Sequence, residues 1–251
     1  MVYEQLAHVY DRLMSDAPYK QWVSFTNMII ETLEVKPNHI VDLGCGTGEI
    51  TCLLAEAGYQ MTGVDFSTDM LVAAEQKSSS AQLPVQWIHQ DLRALSGFEN
   101  IEVAISYCDV LNYITSGSDL HLVFTHVCNA LKPGGLFIFD VHSLYYVENN
   151  MVNQTFTDVL DDVAYIWDCL PGDDAGEMYH DITFFAADQL GKYDRFDESH
   201  EQKTYPVSFY VKLLENCGFE NIQLYNDFSC KKEEFNEKGS RIFFVTQKRL
   251  G

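Results

Sequence analysis

Two acids and three glycines carry the clearest chemistry in this chain. Asp42 stands two residues ahead of Gly44, and Gly44, Gly46 and Gly48 alternate with Cys45 and Thr47. Alternating glycines let the backbone turn tightly and let a ligand come close to its amides. A helix expected from Glu49 would aim free N–H groups and partial positive charge at the same place. Asp65 ends the next apolar run, about 20 residues on, where nucleotide-binding α/β folds put the acceptor for ribose hydroxyls. The dinucleotide fingerprint is G-x-G-x-x-G, whose spacing makes room for a pyrophosphate. Here the spacing is G-x-G-x-G with a carboxylate just before it. That arrangement disfavours a diphosphate and suits a ligand bearing cationic groups.

A second set of side chains could act on a reactant. Asp109, Asn112 and Tyr113 follow an apolar run at 101–106, at the sheet edge where doubly wound folds bind ligands. His142, His180 and His200 are general-base candidates, because histidine titrates near neutrality. Plain structural readings compete with each: Asn112 as a turn cap, His180 and His200 as solvent-facing groups. No H-x-E, H-E-x-x-H or Cys/His cluster calls for a metal. No G-x-S-x-G or Cys/His pairing calls for a hydrolase.

The elements that must position these residues alternate. Leu6, Val9, Tyr10 and Leu13 have helical spacing, as do Trp22, Phe25, Met28, Ile29 and Leu33, predicting helices over 3–15 and 19–34. Strands are then expected at 39–43, 60–64, 85–89, 101–106 and 136–141. The helices between them cover 49–57, a stretch capped by Ser67 and reaching Lys77, and one capped by Ser118 and reaching Leu131. Lys132-Pro133-Gly134-Gly135 reads as a turn. Five strand–helix alternations are the pattern of a doubly wound parallel sheet. After Val141 the rhythm breaks into an antiparallel meander of three strands, 161–170, 178–187 and 193–205. Val163, Tyr165, Trp167 and Cys169 share its buried face. Pro206 opens a helix to Cys217, and strands at 221–225 and 241–247 close the chain.

In order and spacing these motifs resemble the class I S-adenosylmethionine (SAM)-dependent methyltransferases, motif by motif over 39–141 and in topology over 206–247. The resemblance implies an α/β fold with a doubly wound, seven-stranded, mostly parallel sheet whose last strand runs antiparallel. It implies SAM as cofactor and a small-molecule type of enzyme. Asp42, Gly44, Cys45, Gly46 and Gly48 would contact the methionine part. Asp65 would bind both ribose hydroxyls, and Phe66 would lie against the adenine, with Met70 close by on the next helix. Asp91, in His89-Gln90-Asp91-Leu92, would accept from the adenine amino group beside the Leu92 backbone, and Cys108 would border the sulfonium. Tyr10, and less strongly Trp22, would reach the SAM carboxylate from a helical lid. The implied organisation is a lid at 1–36, a SAM-binding domain at 37–141 and 206–251, and an inserted β subdomain at 142–205 that covers the site. Methyl transfer is an in-line displacement, so alignment in a dry pocket is the main task, and a base is needed only for a protonated acceptor.

Charge narrows the partners. The chain of 251 residues carries 37 acids and 16 Lys/Arg, a net charge of −21. Nucleic-acid binders present a basic surface, so a nucleic-acid partner is not expected and a small-molecule acceptor is. The acids concentrate at 142–200, where 13 Asp/Glu meet 2 Lys/Arg. The aromatics of that stretch would build its own core, line an acceptor pocket, or pair two copies into a homodimer. Seven cysteines without a CxxC pair read as reduced thiols in a cytoplasmic protein. No apolar run is long enough for a membrane span. Three other readings stay open: a SAM-binding regulatory or scaffold protein, an RNA methyltransferase, and a dinucleotide oxidoreductase.

Overall fold

The strands of the chain build two sheets, one of seven strands and one of four. The computed structural model describes residues 17–188, 191–229, 231 and 234–250. Tyr10 and the helix expected at 3–15 lie outside these residues. Helix α1 (Tyr19–Thr32) buries Trp22, Phe25, Ile29 and Ile30 along one stripe. The alternating region follows as β1 (His39–Leu43), α2 (Glu49–Glu56), β2 (Gln60–Asp65), α3 (Thr68–Ser80), β3 (Val85–His89), β4 (Ile101–Ser106), α4 (Gly117–Ala130) and β5 (Leu131–His142). After an inserted sheet come α5 (Val207–Asn216), β10 (Phe219–Asn226) and β11 (Arg241–Lys248).

The large sheet has seven strands in the order β10-β11-β5-β4-β1-β2-β3. β11 runs antiparallel to both neighbours, and the pairs from β5 to β3 are parallel. Both faces are covered, as a parallel sheet requires. Along β5, Leu136 and Ile138 join Trp22, Phe25 and Ile29 on one side, while Phe137 and Phe139 join Phe124 and Tyr210 on the other. The chain moves outward from β1 through β2 to β3 and then returns to β4 on the opposite side of β1. The crevice beyond the ends of β1 and β4 is therefore the switch point where such folds bind ligands.

Two expected boundaries change. Helix α4 is capped by Ser116, whose hydroxyl accepts from the Asp119 N–H at 3.4 Å, and not by Ser118. The 132–135 segment does not leave the sheet. It is absorbed as an irregularity in β5, with Ile101 opposite Leu131 and Val103 already opposite Leu136. Gly134, at φ 74°, supplies the backbone that an L side chain resists.

The insert has four strands where three were expected: β6 (Gln154–Val159), β7 (Val163–Pro171), β8 (Glu177–Ala187) and β9 (Tyr193–Lys203), paired in that order. β6 is a polar sequence, Gln154-Thr155-Phe156-Thr157-Asp158-Val159, that β7 recruits through its free edge. One face carries Phe156, Val163, Tyr165, Trp167, Met178, His180, Phe184, Phe196 and Gln202, as the register of the four strands fixes. Part of this face, Val163 and Phe184 with Tyr165, Ile182 and Phe196, packs on Met70 of α3. The other end packs on the short helical segment 144–151 through Val147, Met151, Cys169 and Met178. The insert thus reaches from the end of β5 across to the start of α3.

Gly63 in β2 shows how tightly the floor of the crevice is built. A Cβ there would stand 2.3 Å from Trp87 Cζ3 and 2.9 Å from Cys45 Sγ. Gly63→Ala should therefore lower unfolding stability by about 1–3 kcal/mol through overpacking. Urea denaturation checks this, with the midpoint expected to fall at an unchanged slope.

Candidate active site

The glycine loop takes its shape from β2. The Gly44 and Cys45 N–H groups donate to the Val64 carbonyl at 2.7 and 3.1 Å. Gly44, Gly46 and Gly48 have φ of 76°, 53° and 77°, a run of left-handed turns that glycine accepts at no steric cost. Asp65 locks the loop from the other side, its carboxylate accepting the Gly46 N–H at 2.8 Å and the Ser67 N–H at 2.8 Å. Burial pushes the Asp65 pKa up, against those two hydrogen bonds. Asp42 is buried and accepts from the Thr51 hydroxyl at 2.6 Å, and burial raises its pKa to about 7. A cationic ligand would stabilise its charged form.

These residues fit SAM. A carboxylate has about four acceptor sites, so Asp65 keeps two for a ribose diol after serving Gly46 and Ser67. A Cβ added at Gly46 would meet nothing within 4 Å, so the loop is open on its ligand side. Phe66 is 75% exposed, a flat apolar surface beside Asp65. Met70 lies one turn into α3, under the insert. Asp91 caps the short turn Leu92–Ala94 and is gripped by Arg93, with Nε 3.0 Å from both carboxylate oxygens. Its carboxylate is held below the usual range, chiefly by the Arg93 hydrogen bonds. Leu92 is buried behind it. Trp22, the weaker of the two lid candidates, donates from Nε1 to Asp140 Oδ2 at 2.6 Å.

The end of β4 is the strained part of the site. Cys108 and Asp109 both have positive φ, 57° and 53°, where non-glycine residues are uncommon. The turn turns Asp109 inward, where four groups meet it. Arg241 Nη2 donates to Oδ1 at 2.9 Å, Gln202 Nε2 donates to Oδ2 at 2.9 Å, and His142 Nε2 lies 3.4 Å from Oδ1. The Asp109 N–H in turn donates to Asp140 Oδ1 at 2.9 Å. Burial opposes the Asp109 charge, but His142, Arg241 and Gln202 together hold its pKa below the ordinary value. Asp140, fully buried, is pushed up by burial against the pull of Arg241, whose Nη1 stands 3.1 Å away. The Arg241 guanidinium also lies over the Trp22 ring, 5.3 Å from its centroid.

The six expected acceptor-side residues converge here, yet their surroundings differ. Asn112 is fully buried and committed to the backbone: Oδ1 accepts from His142 N–H and Nδ2 donates to the Lys203 carbonyl, both at 3.0 Å. It ties β5 to β9 through both ends of its amide. His142 is enclosed, its Nδ1 buried without a partner, and burial drives its pKa down to about 4. His180 faces inward and not to solvent. Its Nδ1 accepts from Trp167 Nε1 at 2.9 Å, and its Nε2 meets Gln202 Oε1 at 3.2 Å. Burial lowers its pKa as well. Tyr113 is half exposed, with its ring edge-on to His200 at 6.0 Å. His200 Nε2 lies 3.2 Å from Glu198 Oε2.

Sequence reasoning missed Arg241, Asp140, Gln202 and Glu198. Arg241 and Asp140 come from strands paired by register, Arg241 opposite His142. Only the Phe196-Glu198-His200-Gln202 alternation was readable, and a polar alternating face reads as a solvent face. Among the described residues no cluster of three or more His, Cys, Asp or Glu is placed to hold a metal.

This strand order, with the glycine loop at its switch point and Asp65 beside it, is that of the class I SAM-dependent methyltransferases. Residues 40–135 match the family described as methyltransferase domain. YqeM of Bacillus subtilis (strain 168), a protein named as a methyltransferase, is 41% identical over 99% of this chain and 98% of its own length. The crystal structure of a SAM-dependent methyltransferase from Clostridium acetobutylicum ATCC 824 superposes with a TM-score of 0.88 at 31% identity, covering 99% of this chain and all of that one. The fold extends to the sugar N-methyltransferase KedS8 from Streptoalloteichus, with a TM-score of 0.79 at 17% identity over 96% and 92% of the two chains. The chain belongs to the SAM-dependent methyltransferase family, and SAM is its cofactor.

Among the described residues Arg241 is the one cation shared by Asp109 and Asp140, and its loss leaves two carboxylates buried together. Arg241→Gln should lower stability at neutral pH by about 3–5 kcal/mol. The loss should shrink as pH falls, because carboxylates with raised folded pKa values then bind protons and shed the buried charge. Denaturant titrations of both proteins between neutral and mildly acidic pH check the sign.

Proposed function

We propose that the chain transfers the methyl group of SAM to a small molecule held between the end of β4 and the inner face of the insert. One observation carries this reading: the insert is fastened on both sides of the crevice. Gln202 bonds Asp109, Lys203 O accepts from Asn112, and the Thr204 hydroxyl donates to the His142 carbonyl at 2.6 Å. Across the crevice, the Val163/Phe184 cluster rests on Met70. A roof anchored at both ends favours an acceptor that fits inside over a long polymer that must thread through. The acidity of the insert argues the same way against nucleic acid.

Bound SAM supplies a methyl on a sulfonium, already activated for displacement. Asp65 would hold the ribose, Phe66 would support the adenine, and Asp42 would meet the cationic end beside the glycine loop. Val110, in the turn after β4, closes on the glycine loop, since a Cβ at Gly44 would lie 2.3 Å from its Cγ1. Tyr113 and His200 would face the acceptor. The insert would exclude water, so that the acceptor is the nucleophile available in line with the methyl. Among the described residues no helix is long and apolar enough to cross a membrane.

Methyl-labelled SAM incubated with the protein and a pool of small metabolites should label a small product and release S-adenosylhomocysteine. Parallel incubations with tRNA and ribosomal RNA should give none. Asp65→Ala should weaken SAM binding by about 1–3 kcal/mol in calorimetry, as a charged acceptor for two hydroxyls is lost. Label entering RNA, or a metabolite pool left unlabelled at full SAM occupancy, contradicts the reading.

A further inference from the structure

Three histidines surround the acceptor side, and only one has the surroundings of a base. His180 accepts a hydrogen bond from Trp167 at Nδ1, so the lone pair a base would use is already engaged. His142 is sealed in the protein beside Asp109. His200 is different: its side chain is 32% exposed, on the face of the insert turned to the crevice. It lies beside Tyr113, which follows β4 in the turn that also holds Cys108 and Asp109.

We infer that His200 is the general base of the methyl transfer and that Glu198 is its positioning residue. The inference rests on the function proposed above and adds to it the class of acceptor. Glu198 and His200 are two apart on β9 and share its inward face, alternating with Asp197, Ser199 and Glu201, which point out. The Glu198 side chain is only 11% exposed, and its Oε2 is 3.2 Å from His200 Nε2. A carboxylate accepts and cannot donate when ionised, so it fixes the proton on Nε2. Nδ1 is left as the basic nitrogen, with Glu198 stabilising the imidazolium that forms. That is the orienting logic of an acid–histidine pair in nucleophile-activating sites. Among the described histidines of the acceptor side, His200 alone combines an open ring with a largely buried acid behind it.

The balance of the step defines the acceptor. The X–H proton of the acceptor passes to His200 Nδ1 as the X–C bond forms. The C–S bond breaks with its electron pair going to sulfur, which becomes a neutral thioether. The positive charge of the sulfonium thus reappears on the imidazolium, which returns the proton to water after release. Only an acceptor whose nucleophilic atom carries both a lone pair and a removable proton, such as a hydroxyl, needs such a base in the same step. A thioether or a tertiary amine does not.

Two measurements test this. The groups facing His200 are Glu198 and Gln202 on β9, His180 across the pair on β8, and Tyr113, with Asp109 one hydrogen bond beyond Gln202. The first measurement is the imidazole nitrogen spectrum of the protein, assigned by comparison with His200→Gln. His200 should show a protonated Nε2 and a bare Nδ1, and Glu198→Leu should abolish that preference. The reverse tautomer in the parent protein overturns the pair whatever the turnover assay shows. The second measurement uses the metabolite pool and labelled SAM. His200→Gln should lower kcat by about a hundredfold or more while SAM affinity changes less than about twofold. The acidic limb of the parent pH–rate profile should vanish with it. Glu198→Gln, which can still accept from Nε2–H, should recover part of the rate that Glu198→Leu loses. A His200→Gln rate within about threefold of the parent, or an unaltered pH profile, overturns the base. An unlabelled pool in the parent protein overturns the proposed function instead, and leaves the tautomer to decide the pair.

Discussion

The site is organised around the buried carboxylate of Asp109. It sits where β4 ends in two left-handed residues, a conformation that persists only if the surroundings enforce it. Arg241 from β11, Gln202 from β9 and the backbone link to Asp140 on β5 supply that enforcement. One side chain therefore joins the large sheet to the insert, and burial makes each contact count. A buried charge without partners would cost several kcal/mol, so the ring of donors and the strained turn stand or fall together.

Two halves follow from that junction. On the cofactor side the groups are ordered by the backbone: Val64 O shapes the glycine loop and Asp65 ties it to α3. Asp42, with its pKa raised to about 7, is poised for a ligand that brings positive charge. On the acceptor side the groups come from the insert and are ordered by side chains. Trp167, His180, Gln202 and Asp109 form one hydrogen-bonded chain running from the insert into the sheet. His200 and Glu198 stand beside it, nearer the opening. On the proposed function, cofactor binding and acceptor choice would rest on different elements of the same crevice.

How much of this could be read from the sequence depends on the distance over which each feature is set. β1 and β4 fall where apolar runs bounded by turn residues predict them, because a doubly covered parallel strand needs little more than such a run. β6 was not legible: Thr155, Thr157 and Asp158 carry no apolar period, and the strand exists because β7 offers an edge. The cap of α4, expected at Ser118, falls at Ser116, which only the geometry of the first turn decides. Asp65 and the glycine loop were readable because their partners lie within about 20 residues. The surroundings of the histidines were not, since Trp167, Gln202 and Glu198 make them, and strand register brings those partners together. The polar inner face of β9 hid for the same reason: its burial comes from the large sheet, not from its own composition.

The central claim is that the insert completes the acceptor side and leaves the cofactor side largely to the large sheet. The most direct measurement replaces residues 158–198 with a short Gly/Ser linker and follows SAM affinity and methyl transfer on the same preparation. The account predicts SAM binding within about tenfold of the parent, a shift of about 1.4 kcal/mol, with methyl transfer abolished. A folded truncated protein that methylates at the parental rate would contradict it.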